Sequence, residues 1–126
     1  MAVAAPIWSD GVLVVGRVLK DGVEYDLKQI AVNQSVLGPV TYVAAVPSFR
    51  IQVVLVDLAA SAGTILEWRS AATVIVSGMT VGPGAFDRNY LPGYFVQTAV
   101  GEALNARQSV GTAATIRGVL NYIEVP

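Results

Sequence analysis

The chain contains no cysteine and no histidine. The first absence excludes a disulfide scaffold and a thiol nucleophile; together the two remove the usual ligand sets for zinc, iron and copper. They also exclude Ser-His-Asp and Cys-His catalytic arrangements. No serine sits in a Gly-x-Ser-x-Gly elbow, and no glycine loop runs into Lys and Ser or Thr to cradle a phosphate. Charge is scarce too: 13% of residues are charged, eight basic against nine acidic, with a formal net charge of -1 and no cluster of either sign. Such a surface has no electrostatic pull toward nucleic acid or an anionic membrane. Long apolar runs are missing as well, since Pro47, Arg50, Gln52 and Asp57 break the longest tract, so no membrane span is expected. The opening Met1 to Trp8 lacks the basic start and apolar stretch of a secretory signal. The expectations are a protein that is not an enzyme, with no cofactor, no metal, no nucleic acid and no membrane partner.

What is present is a high apolar fraction, 54% of 126 residues, carried mostly by Val, Ala, Leu and Ile between turn signals. That length suits one domain, 1–126, with 1–10 as an extended N-terminal arm. The organising stretch is Phe49 to Leu58. Phe49, Ile51, Val53 and Leu55 alternate onto one side of an extended strand, while Arg50 and Gln52 on the other side give way to Val54, Val56 and Leu58. A strand that is dry on both faces belongs inside a sheet. Leu120 and Tyr122 share a face of the last expected strand, and the expected core is Phe49, Ile51, Val53, Leu55, Leu120 and Tyr122.

Around that stretch, Asp21-Gly22 between Val12–Leu19 and Val23–Leu27 signals a tight hairpin, because a primed turn needs residues that accept positive φ. Gln29 to Gln34 continues the second strand or starts a third. Further strands are expected at Thr41–Val46, Thr64–Ser70, Val74–Val81, Tyr94–Thr98, Ala103–Val110 and Thr115–Val125, with a small-residue turn at Ala59–Gly63. Gly82–Gly93, with two prolines, three glycines and two aromatics, is the longest loop signal. Eight or so short strands and no long helix predict an all-β fold, an antiparallel β-sandwich of jelly-roll type.

The runs Val46–Val53, Ala59–Thr64, Gly93–Asn105 and Gly118–Val125 resemble a small all-β domain common among tailed-phage virion and prophage proteins. The likeness covers the chain from near Ala44 onward, and its most specific part is the block from Gly93-Tyr94-Phe95 through Glu102-Ala103-Leu104-Asn105. The chain departs from the pattern at Arg69-Ser70-Ala71-Ala72, where a glycine turn would be usual, and at Ala106-Arg107. The resemblance implies a structural virion protein, best matched in size by jelly-roll cement proteins that decorate capsids and bind the major capsid protein. It would be made in the host cytoplasm and reside at the capsid surface. The alternative is a tail-fibre or receptor-binding module that holds carbohydrate.

Candidate site residues follow from residues outside the alternating pattern. Trp8, Phe86, Arg88, Tyr90 and Leu91 are the expected interface set, placed in the arm and the long loop, and they serve a homo-oligomer for which three-fold virion positions suggest a trimer. Tyr90 with Tyr94, and Trp68 with Arg69, are candidate sugar platforms or core. Glu24 and Asp26, near Asp21, are a calcium or acid pair or else solvated carboxylates. Asp57 is expected to pair with Arg50 or Arg69, and Glu102 and Asn105 to cap backbone groups.

Overall fold

The computed structural model describes residues 7–9, 12–109 and 113–126, with side chains from residue 12 onward. Eleven strands are seen among them: β1 (Ile7–Ser9), β2 (Val12–Lys20), β3 (Val23–Gln34), β4 (Val40–Val43), β5 (Arg50–Ala60), β6 (Thr64–Ser70), β7 (Thr73–Val81), β8 (Phe86–Asn89), β9 (Val96–Gln97), β10 (Leu104–Gln108) and β11 (Ile116–Val125). One antiparallel sheet runs β1-β2-β3-β11-β5-β8, with β9 also on β5; the other runs β4-β10-β6-β7. From β3 onward the chain changes sheets at every step except the β6–β7 hairpin and the β8–β9 pair, which is the jelly-roll order. No helix is long and apolar enough to cross a membrane among the described residues.

Local chemistry explains the connections. Lys20 lies opposite Val23, and the two residues between them, Asp21 and Gly22, have φ of 51° and 78°, the primed turn expected. The β6–β7 turn uses Ala71 at φ 49° in place of the usual glycine. Asn105 steadies that turn, its Nδ2 donating to the Ala71 carbonyl at 3.0 Å.

The main core lies between the sheets. Ile51, Val53, Val56, Leu58, Leu120 and Tyr122 meet Leu66, Trp68, Leu104 and Ala106 there. The alternation in β5 changes phase midway: Asn121 pairs with Leu55 and Tyr122 with Val53, so Val54 is an extra, bulged residue. That bulge corrects the expected core, because it hands the interior from Val53 to Val56 and leaves Leu55 half-buried on the far face. Phe49 precedes the strand and is likewise half-buried. Gln52, expected to be wet, is buried.

Its cover is a second, smaller core on the back of the larger sheet. β3 pairs with β11 only as far as Lys28 opposite Tyr122, while β2 and β3 stay paired to the turn. Beyond that point Val18, Tyr25 and Leu27 pack on Val54, Ile123 and Val125. The hairpin tip therefore lies across the back of β11 and β5, fixed by Lys20 Nζ donating to Gln52 Oε1 at 2.7 Å.

Candidate functional site

The predicted interface residues are dispersed by these elements. Trp8 falls in β1, its backbone opposite Leu13, and its side chain lies outside the described residues, as do residues 1–6 and Asp10 of the arm. Phe86 and Arg88 sit in β8, a strand that the loop signal at Gly82–Gly93 concealed, where Leu58 and Val56 are their partners across from β5. Arg88 lies over the half-buried Phe86 ring at 5.6 Å. Tyr90 donates its amide to the Val54 carbonyl at 2.7 Å and stacks on Phe95 with ring centroids 5.2 Å apart. Phe86 and Tyr90 thus pack on the main core. Leu91 in this loop and Tyr94 just after it are large apolar side chains shown to solvent, 37% and 43% exposed.

An aromatic file leads inward from the loop: Tyr90 on Phe95, Phe95 edge-on to Trp68 at 5.4 Å, and Trp68 edge-on to Tyr42 at 5.5 Å. Trp68 is fully buried, so it cannot stack on a sugar, and Arg69 is held by Glu67 at 2.6 Å. Tyr94 already carries the Lys20 ammonium 5.2 Å from its ring centre.

Among the described residues, a groove of about 580 Å³ lies where the larger sheet overhangs the smaller one. Its apolar lining includes Val12, Val14 and Ile30 from the overhang and Val43 to Val46 from the end of β4 and the residues after it. Asp26, Lys28 and Glu124 supply its polar end. Both carboxylates there have cations: Lys28 Nζ lies 2.8 Å from Glu124 Oε1, and Arg17 Nε lies 3.8 Å from Asp26 Oδ1. Glu24 is also paired with Arg17, at 3.0 Å. Glu24 and Asp26 are therefore arranged as partners of Arg17. No group of three or more Asp, Glu, His or Cys able to hold a metal occurs among the described residues.

Asp57 departs from expectation. No ion pair involves it among the described residues, and its partner across the strands is another carboxylate, Asp87. Arg69 is already committed to Glu67 two residues away on its own strand face. Glu102 accepts a hydrogen bond from Ser70 Oγ at 2.6 Å, and Asn105 Oδ1 accepts one from Thr41 at 2.8 Å, so both act in the framework.

The sequence patterns did not flag a buried polar clamp at the end of the sandwich away from the groove. Gln108 accepts from Thr64 Oγ1 and the Ala114 amide, each at 2.8 Å, and donates to the carbonyls of Ala114 and Val36. Gln34 accepts from the Tyr42 hydroxyl and donates to the same Val36 carbonyl at 3.0 Å. Buried glutamines at regular strand positions read as solvent-facing residues in sequence; only the meeting of β3, β6 and β10 reveals their partners.

Two buried phenols give the fold a pH signature. Burial pushes the Tyr42 hydroxyl well above its ordinary value of 10.0, and burial followed by the nearby Glu124 charge does the same for Tyr122. Below pH 10 both states are protonated and nothing changes. Above it the unfolded chain loses these protons while the folded chain keeps them, so stability falls as pH rises. The expected slope is about 1.4 kcal/mol per pH unit for each phenol. Urea unfolding at a series of pH values up to about pH 11 checks this: Tyr42→Phe should flatten the slope, and stability unchanged across the alkaline range would contradict it.

No family model, curated protein or solved structure matches the chain.

Proposed function

We propose that this chain is a structural protein of a tailed-phage virion, of the capsid decoration or cement type, which binds the major capsid protein and stabilises the assembled head. The observation that supports it most is the jelly-roll strand order, reached by a chain whose most family-like block, 93–105, is spent on building the interior. Phe95 joins the aromatic file, Thr98 Oγ1 accepts the Ile51 amide at 2.9 Å, Gly101 turns the chain at φ 75°, and Leu104 is core. The block's likeness to virion domains is thus a likeness of framework.

The role is binding and assembly rather than catalysis, and the groove carboxylates, held by Lys28 and Arg17, fit that role. Association is supported by large apolar side chains left in water: Leu19 is 68% exposed, Val36 55% and Val23 50%. A homo-oligomer, with a trimer suggested by three-fold positions on heads, would cover some of them. The carbohydrate-binding tail module is the second reading. Tyr94, beside Lys20, is the exposed ring it can draw on, and Lys20 occupies one face of that ring.

The test is head stability. Phage heads stripped of this protein and then resupplied with it should release DNA at a higher temperature than stripped heads; equal release temperatures would overturn the cement role.

A further inference from the structure

The end of the sandwich that holds the buried glutamines presents a turn made to be rigid and yet apolar on its outside. Val36 is 55% exposed and Leu37 38%. Beneath them the Val36 carbonyl accepts from Gln34 Nε2 at 3.0 Å and Gln108 Nε2 at 3.1 Å, and the Leu37 carbonyl accepts the Gln108 amide at 2.6 Å. Burying a glutamine costs free energy unless its polar groups are bonded, so two of them aimed at one carbonyl hold this turn in a single conformation. Apolar side chains carried on a backbone fixed in this way lose little freedom when a partner closes over them.

The charge of this end is one-sided. It is built from the stretches 34–39, 61–64 and 107–117, which contain Arg107 and Arg117 and no acidic residue. Arg107, in the smaller sheet, lies against the turn, where a β-carbon on Gly38 would stand 2.9 Å from its Cα. Arg117, in the larger sheet, lines a shallow recess of about 440 Å³ with Ala59, Ala60, Ser61 and Thr115. The turn crosses from one sheet to the other, so the two arginines flank it. Both are exposed, and neither joins an ion pair among the described residues.

We propose that this end is the surface by which the protein seats on its partner, with Val36 and Leu37 entering an apolar pocket of a protein whose pocket rim is acidic. The inference deepens the cement reading and rests on it, the partner being the head surface. Charge selects this occupant over a second copy met end to end. Two such ends would set arginine against arginine with no carboxylate between them, whereas an acidic rim meets Arg107 on one side and Arg117 in its recess on the other. An uncharged centre with cations kept to its edge is the composition of an interface core and its rim.

Co-sedimentation with heads stripped of this protein, over a series of concentrations, is the test. Val36→Asp and Val36→Ser, each confirmed as folded by circular dichroism, should weaken binding about ten-fold or more, while Leu19→Asp in the β2–β3 hairpin, at a side chain 68% exposed, should bind as the unaltered chain does. Binding of the unaltered chain should also weaken between about 0.1 M and about 1 M salt, where screening shortens from about 10 Å to about 3 Å, and an Arg107→Glu/Arg117→Glu variant should bind weakly at both. Val36 variants that bind like the unaltered chain would overturn this surface alone, as would a loss in Leu19→Asp equal to theirs. Unchanged binding by the double arginine variant would overturn the acidic rim. Val36→Asp that binds heads normally but loses self-association in light scattering would assign the end to a second copy instead. An unaltered chain that does not bind heads at all would overturn the cement reading and this surface with it.

Discussion

A Gly118→Ala protein is expected to lose about 4 kcal/mol or more of stability, enough to leave much of a marginally stable domain unfolded. Gly118 sits in β11 between Val32 of β3 and Leu58 of β5, at φ 151°, a conformation that side chains with a β-carbon rarely adopt. A methyl group there would overlap the Asp57 carbonyl oxygen and stand 2.9 Å from the Asp57 carbonyl carbon and 3.0 Å from Leu58 Cα. All three obstacles are backbone, so no side-chain rotation relieves them. The seam between β11 and β5 would have to part, and it is an interior seam of the larger sheet, paired from Ile116 opposite Ala60 to Val125 opposite Arg50. Urea denaturation followed by circular dichroism measures the effect; a loss below about 1 kcal/mol, the size of an ordinary surface change, would show that the seam is looser than described.

Trp68→Ala is expected to cost about 3 to 4 kcal/mol. Trp68 is the middle of the aromatic file and fully buried, touching Tyr42 on one side and Phe95 on the other. Its removal opens a cavity that β-sheet walls on both sides cannot collapse to fill. One term works the other way: Trp68 Nε1 is buried without a hydrogen-bond partner, so its deletion relieves a donor left unsatisfied. For that reason the expected value lies below the top of the usual range, and Trp68→Phe, which keeps a ring but removes the donor, should cost less than half as much. A Trp68→Ala protein as stable as the parent would refute the placement of this ring in the core.

Where one residue's neighbours in sequence decide its environment, the chain was readable. Asp21-Gly22 specifies its turn locally, and the alternation of Ile51 and Val53, or of Leu120 and Tyr122, directs those side chains inward. The pattern fails where a distant strand decides. Leu55 is set outward by a bulge that exists only because Val54 has no partner in β11. β8 is spelled Phe86-Asp87-Arg88-Asn89, poor strand material, and is a strand because β5 offers it an edge. β1 similarly borrows its pairing from β2 within what reads as a plain arm. Of the segment Tyr94–Thr98, Val96 and Gln97 alone form a strand. The groove could not be read in advance, because its lining comes from β2, β3, β11 and the residues around the end of β4, and its shape arises from the unequal widths of two sheets. The second core was half legible: Val54 reads as dry on its face of the strand, but its cover, with Ile123 and Val125 beside it, appears only when the β2–β3 hairpin is laid across them.

Immunogold labelling of intact virions with an antibody raised against this chain, viewed by negative stain, tests the central claim most directly. The cement role predicts gold distributed over the head surface. Gold confined to the tail tip, or none on intact particles, would contradict it.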